Sequence, residues 1–296
     1  MKLLFLIVCH KKTASLFYNL NKLSKFKNST VLVHIDKKSN FDERDLVKAD
    51  NIIYVKNRID VRWGSISQVV TTVDSISNHI DIDFDYVSLI SGEDLVIKTE
   101  KQFIDFLRRH DGKEFIGIEK KGDGYFDPKD RYLYKYNSSF YESRPTNLQK
   151  IIKIISSVLH KAGILINKQA LPYESFYKGS NWFTLSKDAV VFILEEIREK
   201  DLLRYFGNSL CIDEVIFQTI LMNSSFKKNI YLIDDYATDN EMSLRYVNWV
   251  DGPEYPKILD KKDLIRSFED NVFFVRKISP KLTTQELHDL FPMEEL

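Results

Sequence analysis

Asp213-Glu214 opens a stretch in which Ile212, Val215, Ile216, Thr219 and Ile220 fall along one helical face. The spacing predicts a helix over about 213–223 with Glu214 in its first turn. A carboxylate there lies at the positive end of the helix dipole, stays ionised and can accept a proton. Acidic residues also favour helix starts for capping alone, so position by itself leaves both readings open. The dipole that holds the charge weakens the base, and an apolar wall such as Trp182 would be needed to raise its proton affinity.

Paired carboxylates offer a second chemistry. Asp81-Ile82-Asp83 and Asp83-Phe84-Asp85 have the letters of a pair that holds a divalent cation against a diphosphate. They precede the apolar run 86–90, however, at the wrong end of a strand for ligand binding, and read as a solvated loop and strand cap. Ser91-Gly92-Glu93-Asp94 follows that run. Its glycine permits close backbone approach, and Glu93 and Asp94 can accept hydrogen bonds from sugar hydroxyls, with a plain turn as the alternative. If no pair holds a metal, a leaving diphosphate needs cations. The C-terminal segment from 241 supplies Arg245, Lys257, Lys261, Lys262, Arg266, Arg276 and Lys277, beside Tyr246, Trp249, Tyr255, Phe273 and Phe274. Lys261, Lys262 and Arg266 read as a solvated face. Lys257 and Lys277, next to apolar residues, are better placed for phosphate.

Other chemistries find no support. The six histidines show no metal-ligand spacing, and there is no Gly-x-x-x-x-Gly-Lys loop, Gly-x-Gly-x-x-Gly turn or Gly-x-Ser-x-Gly elbow. Lys plus Arg and Asp plus Glu both number 43, which gives no global pull toward nucleic acid. Cys9 and Cys211 are the only cysteines and fit reduced thiols in a cytoplasm. Residues 1–8 are too short an apolar run for a signal peptide, and no stretch reaches the roughly 20 apolar residues that cross a bilayer.

The elements that must position these residues alternate in an α/β manner. Apolar runs at 3–9, 30–35, 52–55 and 86–90 predict strands, with helices over 13–26 and 65–79 between them, as in a doubly wound, mostly parallel sheet. Ligands of such sheets gather beyond the carboxyl ends of the strands, which selects His10, Asp36 and the Ser91–Asp94 turn. A polar, tyrosine-rich excursion follows from 122 to 145. Helices at 147–162, 187–199 and 213–223 and strands at 182–185 and 229–233 come next, and the last fifty residues read as irregular. Tyr125, Phe126, Tyr132, Tyr134, Tyr136, Tyr141, Tyr173 and Tyr177 could stack on sugar rings or pack the excursion onto the core. With 296 residues and 44% apolar content, one large domain, or two fused lobes, is expected.

Five strings in order resemble the core-2/I-branching β-1,6-N-acetylglucosaminyltransferases and peptide O-xylosyltransferases, in the form of bacterial homologues. They are Val33-His34-Ile35-Asp36-Lys37-Lys38-Ser39; Val61-Arg62-Trp63-Gly64-Ser65; Ser91-Gly92-Glu93-Asp94 with Ile97-Lys98-Thr99; Gly179-Ser180-Asn181-Trp182-Phe183; and Asp213-Glu214 with Phe217-Gln218-Thr219. The resemblance implies a GT-A-type nucleotide-sugar fold, inversion at the anomeric carbon and catalysis without a metal. It carries the base onto Glu214 and the diphosphate cations onto Lys277 and Lys257. Branching enzymes have Arg where Lys257 stands, which leaves Arg245 as a substitute. It also places Val33, Asp36 and Arg62 near the uridine, with His10 beside them, and Glu93 and Asp94, with Trp182, near the transferred sugar or acceptor. Read so, the chain is a single glycosyltransferase domain over 1–296, with a nucleotide-binding half (1–115), an acceptor and catalytic half (116–240) and a basic segment closing the diphosphate site (241–296).

The expected activity is transfer of N-acetylglucosamine or xylose from a UDP-sugar co-substrate to a glycan hydroxyl, with no cofactor, in surface polysaccharide synthesis. The animal relatives carry a membrane anchor and disulfides, so this chain reads as the bare catalytic domain, cytoplasmic or peripheral at the inner face of a membrane. The alternatives are an inactive carbohydrate- or nucleotide-binding protein of the same fold, and a metal-dependent transferase using Glu93 and Asp94.

Overall fold

The structure is a computed structural model that describes residues 1–120, 127–142, 144–234, 237–253 and 255–292. Tyr125 and Phe126 lie outside the described residues. The first half runs β1 (Leu3–Cys9), α1 (Ala14–Leu23), β2 (Ser29–Ile35), β3 (Ile52–Tyr54), α2 (Ser67–Ser77), β4 (Tyr86–Ser91), β5 (Leu95–Val96), α3 (Glu100–Arg109) and β6 (Phe115–Ile116). The second half runs α4 (Lys129–Leu133), α5 (Asn147–Lys161), β7 (Phe183–Ser186), α6 (Lys187–Glu199), α7 (Leu202–Tyr205), α8 (Ile216–Met222), α9 (Asp239–Met242), β8 (Arg245–Val247), α10 (Lys261–Leu264), β9 (Phe274–Arg276) and α11 (Thr284–Leu290).

The central sheet has the order β3-β2-β1-β4-β7-β6. β1 to β4 are parallel, and β7 returns antiparallel to both β4 and β6. Contiguous apolar runs suit these strands because helices cover both faces, and two core clusters lie on either side of the sheet. The register aligns the strand ends: Cys9 pairs with Ile35, and Val8 with Ser91. Asp36 N–H then donates to the Cys9 carbonyl (2.8 Å) and Gly92 N–H to that of Val8 (3.0 Å), so His10, Asp36 and Glu93 leave the sheet along one edge. The Asp-x-Asp pairs lie at the other edge, where Asp85 accepts from Lys2 N–H and Asp83 pairs with the Lys2 ammonium.

Three expectations change. The last fifty residues are not irregular: β8 and β9 join β5 in a second sheet of order β5-β9-β8, around a third core cluster that includes Tyr18 of α1 and Leu287 of α11. Residues 229–233 form no strand, only a bridge between Ile230 and Glu114. The helix expected at 213–223 begins at Ile216. A 3₁₀ turn, Ile212–Glu214, precedes it, entered through Cys211 in the left-handed region (φ 50°). The tyrosines of the excursion largely pack. Tyr132 stacks on Phe176, Tyr134 on His160, and Tyr141 donates to the Ser209 carbonyl.

Candidate active site

At the strand ends, Arg58 donates to the Ile35, Asp36 and Ser39 carbonyls and fixes the end of β2. The Asp36 carboxylate accepts from Lys38 N–H (2.9 Å). The Lys38 ammonium bridges to Asp60 (2.7 Å), and Asp60 in turn holds Arg62 (3.0 Å). Asp36 and Arg62 therefore belong to one charged cluster. Val33, expected near the uridine, does not join it: its side chain is fully buried in the core beside the end of β2. Burial pulls the His10 imidazole below its ordinary value, opposed by Glu93. Trp63, next to Arg62, is 67% exposed and presents a ring face that can stack on a planar base or a sugar.

Glu93 and Asp94 part company. Glu93 faces Lys277 (3.1 Å) near the mouth. Asp94 is fully buried: it accepts from Ser91 N–H (2.8 Å), meets Arg245 at 3.2 Å and meets Arg276 at 3.0 Å. Arg245 is equally buried, donates to the Leu89 carbonyl (2.5 Å) and lies against the rings of Phe274 and Trp182. Both expectations are corrected for one reason. Two charges withdrawn from water must satisfy each other, and neither has a face left for a sugar or a diphosphate. Lys257 is also engaged, by Asp263 at 2.7 Å and Asp251 at 3.9 Å. Arg276 was counted among the C-terminal cations from sequence but given no role of its own. Its side chain keeps 15% exposure, and its guanidinium stacks on Trp182 at 4.3 Å; adjacency to Lys277 was the available signal.

Glu214 is held at its turn by backbone. Its carbonyl accepts from Gly179 N–H (3.0 Å). A Cβ at Gly179 would stand 1.8 Å from the Gly117 carbonyl oxygen, so only glycine allows this approach. Gly64 (φ 72°) docks the Arg62–Ser65 loop on the same turn by accepting from Cys211 N–H (2.6 Å). Gln68 then accepts from Gly64 N–H and donates to Asp213. Burial, followed by the Glu214 charge, pushes the Asp213 carboxyl up to about 7.

The Glu214 side chain is 34% exposed, with Arg131 at 3.5 Å and Lys178 at 3.9 Å from Oε2. Burial raises its proton affinity, while Lys178 and then Arg131 lower it. The Trp182 ring carries the guanidinium groups of Arg245 and Arg276. Lys178 also pairs with Glu119. Neither Arg131 nor Lys178 was singled out from sequence, although Lys178 directly precedes the Gly179–Phe183 string. That string spans the site: Gly179 touches Glu214, Ser180 accepts from Gln218 of α8 (2.7 Å), and Trp182 touches Arg276. A partly exposed carboxylate thus lies one short segment away from the Arg276-Lys277 cations.

A mostly parallel sheet flanked by helices, with its polar groups gathered at the carboxyl ends of β1, β2 and β4, has the GT-A-type architecture of nucleotide-sugar enzymes. The family model described as core-2/I-branching enzyme matches residues 3–273. The chain belongs to that family. Among similar proteins, Xylosyltransferase oxt of Drosophila melanogaster is 23% identical over 308 residues, covering 98% of this chain and 33% of its own length. Xylosyltransferase 2 of Pan troglodytes is 21% identical over 260 residues, covering 84% of this chain and 26% of its own. The chain therefore spans about a quarter to a third of these relatives. The crystal structure of S. aureus TarS aligns with a TM-score of 0.28 at 13% identity, over 45% of this chain and 25% of that one.

Proposed function

We propose that the chain moves N-acetylglucosamine or xylose from a UDP donor to a hydroxyl of a glycan acceptor, with inversion, Glu214 acting as general base and no metal taking part. The observation that carries the reading is the Glu214 carboxylate, partly exposed, raised by burial and flanked by Lys178 and Arg131. Glu214 takes the acceptor hydroxyl proton as that oxygen bonds to the anomeric carbon. The bond from this carbon to the β-phosphate oxygen breaks, and its electron pair leaves with UDP. Lys277 meets the growing diphosphate charge by exchanging Glu93 for phosphate oxygens, with Arg276 beside it. His10, Asp36 and Arg62 face the nucleotide, and the acceptor reading points to surface polysaccharide synthesis.

The donor set supports the metal-free half of the proposal. Glu93 is paired with Lys277 and Asp94 with two arginines, and among the described residues no three His, Cys, Asp or Glu side chains converge to hold a metal. The test is turnover of UDP-N-acetylglucosamine and UDP-xylose with and without EDTA, for the native chain and Glu214→Gln. Native turnover should survive excess EDTA. The variant should bind UDP as before and lose ~10²–10⁴-fold in rate. Near-normal turnover removes Glu214 from the mechanism, and EDTA inactivation reversed by a divalent cation restores the metal-dependent alternative. Tight glycan binding by a native chain without turnover would indicate a binding protein.

A further inference from the structure

Helix α5 is attached by its polar side. Ser156 and His160 are buried, Ser156 accepting from Asn137 and His160 lying on the Lys135 carbonyl and stacked on Tyr134. Its apolar side chains point outward: Leu148, Ile151, Ile154, Ile155 and Val158, with Ile164 just beyond, are each more than half exposed. This reverses the usual order of a surface helix, whose apolar stripe faces the core. Charge supplies the second observation. From 144 to 173 the chain has no Asp or Glu but carries Arg144, Lys150, Lys153, Lys161 and Lys168, although acidic and basic residues balance at 43 each overall. Lys150 and Lys161, four residues before and seven after Ile154, border the same side of the apolar face.

We infer that α5 is a docking surface for an anionic lipid bilayer. A helix with aliphatic side chains on one face and lysines along its border lies in the plane of the headgroups, with the apolar face ~5–10 Å into the boundary and the ammonium groups on lipid phosphates. At 15 residues it lies on the membrane without crossing it, and no described helix of the chain is long and apolar enough to cross. The same excursion carries Arg131 to Glu214, and Tyr141 ties it to Ser209 just before the catalytic turn. Docking through α5 therefore sets the Glu214 turn near the bilayer, which favours a glycan carried on a membrane lipid as acceptor. That last step rests on the proposed transfer reaction; the lipid contact does not.

The experiment is sedimentation of the whole chain with vesicles of phosphatidylcholine alone or with 30 mol% (about a third) phosphatidylglycerol, at low and high salt and without donor. Binding should be at least ~10-fold tighter to the anionic vesicles and weaken with salt. Ile151→Asp/Ile155→Asp and Lys150→Glu/Lys161→Glu should each reduce binding ~10-fold or more, with circular dichroism and UDP-sugar hydrolysis unchanged, since all four side chains are solvent-facing. No preference for anionic vesicles, or native binding by both variants, overturns the inference. So does a concentration-dependent dimer abolished by the same substitutions, which would make a second copy the occupant of this face. Loss of hydrolysis in Glu214→Gln with vesicle binding intact separates the two proposals.

Discussion

At the scale of single residues, the Glu214 carboxylate, the proposed base, is set by opposing neighbours. Burial raises its proton affinity, Lys178 and Arg131 lower it, and Glu119 raises it again. A general base works only when ionised, so the rate should fall on the acid side of a pH profile, with the limb above the ordinary Glu value of 4.5. Lys178→Met removes the strongest opposing charge and should move this limb upward, while Glu119→Gln should move it downward. The profile of kcat against pH reads both, and an unmoved limb in the two variants would assign the titration to another group. Asp213 behaves differently because it is a buried support. Its carboxyl stays protonated in the fold up to about 7, whereas an unfolded Asp releases its proton near 3.8. The folded state binds the extra proton between these values, so this contribution to stability is complete below about 3.8 and lost as pH rises through about 7. Asp213→Asn should flatten that slope in urea denaturation measured from pH 4 to 8, and an unchanged slope would mean that Asp213 is ionised in the fold.

At the scale of elements, burial divided residues that are neighbours in sequence. Glu93 and Asp94 leave the same strand end, yet one faces Lys277 at the mouth and the other is sealed beneath β8 and β9 by Arg245 and Arg276. A sequence reading could place the pair at the correct end of β4, because a parallel strand buried on both faces is a continuous apolar run. It could not separate their roles, since nothing local states which carboxylate meets the arginines. The three-residue strands β8 and β9 were invisible for a related reason: they are too short for periodicity to register and are specified by pairing, β9 with β5 and β8 with β9. Glu214 was legible as a candidate and its turn was not, because Val215 breaks the helix just after it. The Asp94 cluster yields a stability prediction. Removing its shared carboxylate leaves two guanidinium groups facing an uncharged partner, and breaking a buried pair costs about 3–5 kcal/mol. Asp94→Asn should lose stability on that scale in urea unfolding, well beyond Glu93→Gln, whose side chain is only partly buried; equal small losses would mean that the cluster is hydrated.

At the scale of the whole molecule, the site is assembled from segments distant in the chain: the ends of β1 and β2 supply His10 and Asp36, and the last sheet supplies Lys277 through β9. A nucleotide diphosphate bound across them would tie the first sheet to the second and stabilise the folded chain as a unit. Ligand at 100 times its dissociation constant adds about 2.7 kcal/mol. For a chain of this size that corresponds to a melting shift of roughly 5 °C. Lys277→Ala should weaken UDP binding about tenfold, a loss of about 1.4 kcal/mol, and so remove roughly half of that shift at the same UDP concentration. Lys257→Ala should leave the shift near the native value, because the Lys257 ammonium is committed to Asp263. The reverse ranking of the two variants would place the diphosphate on Lys257 and require Asp263 to release it on binding.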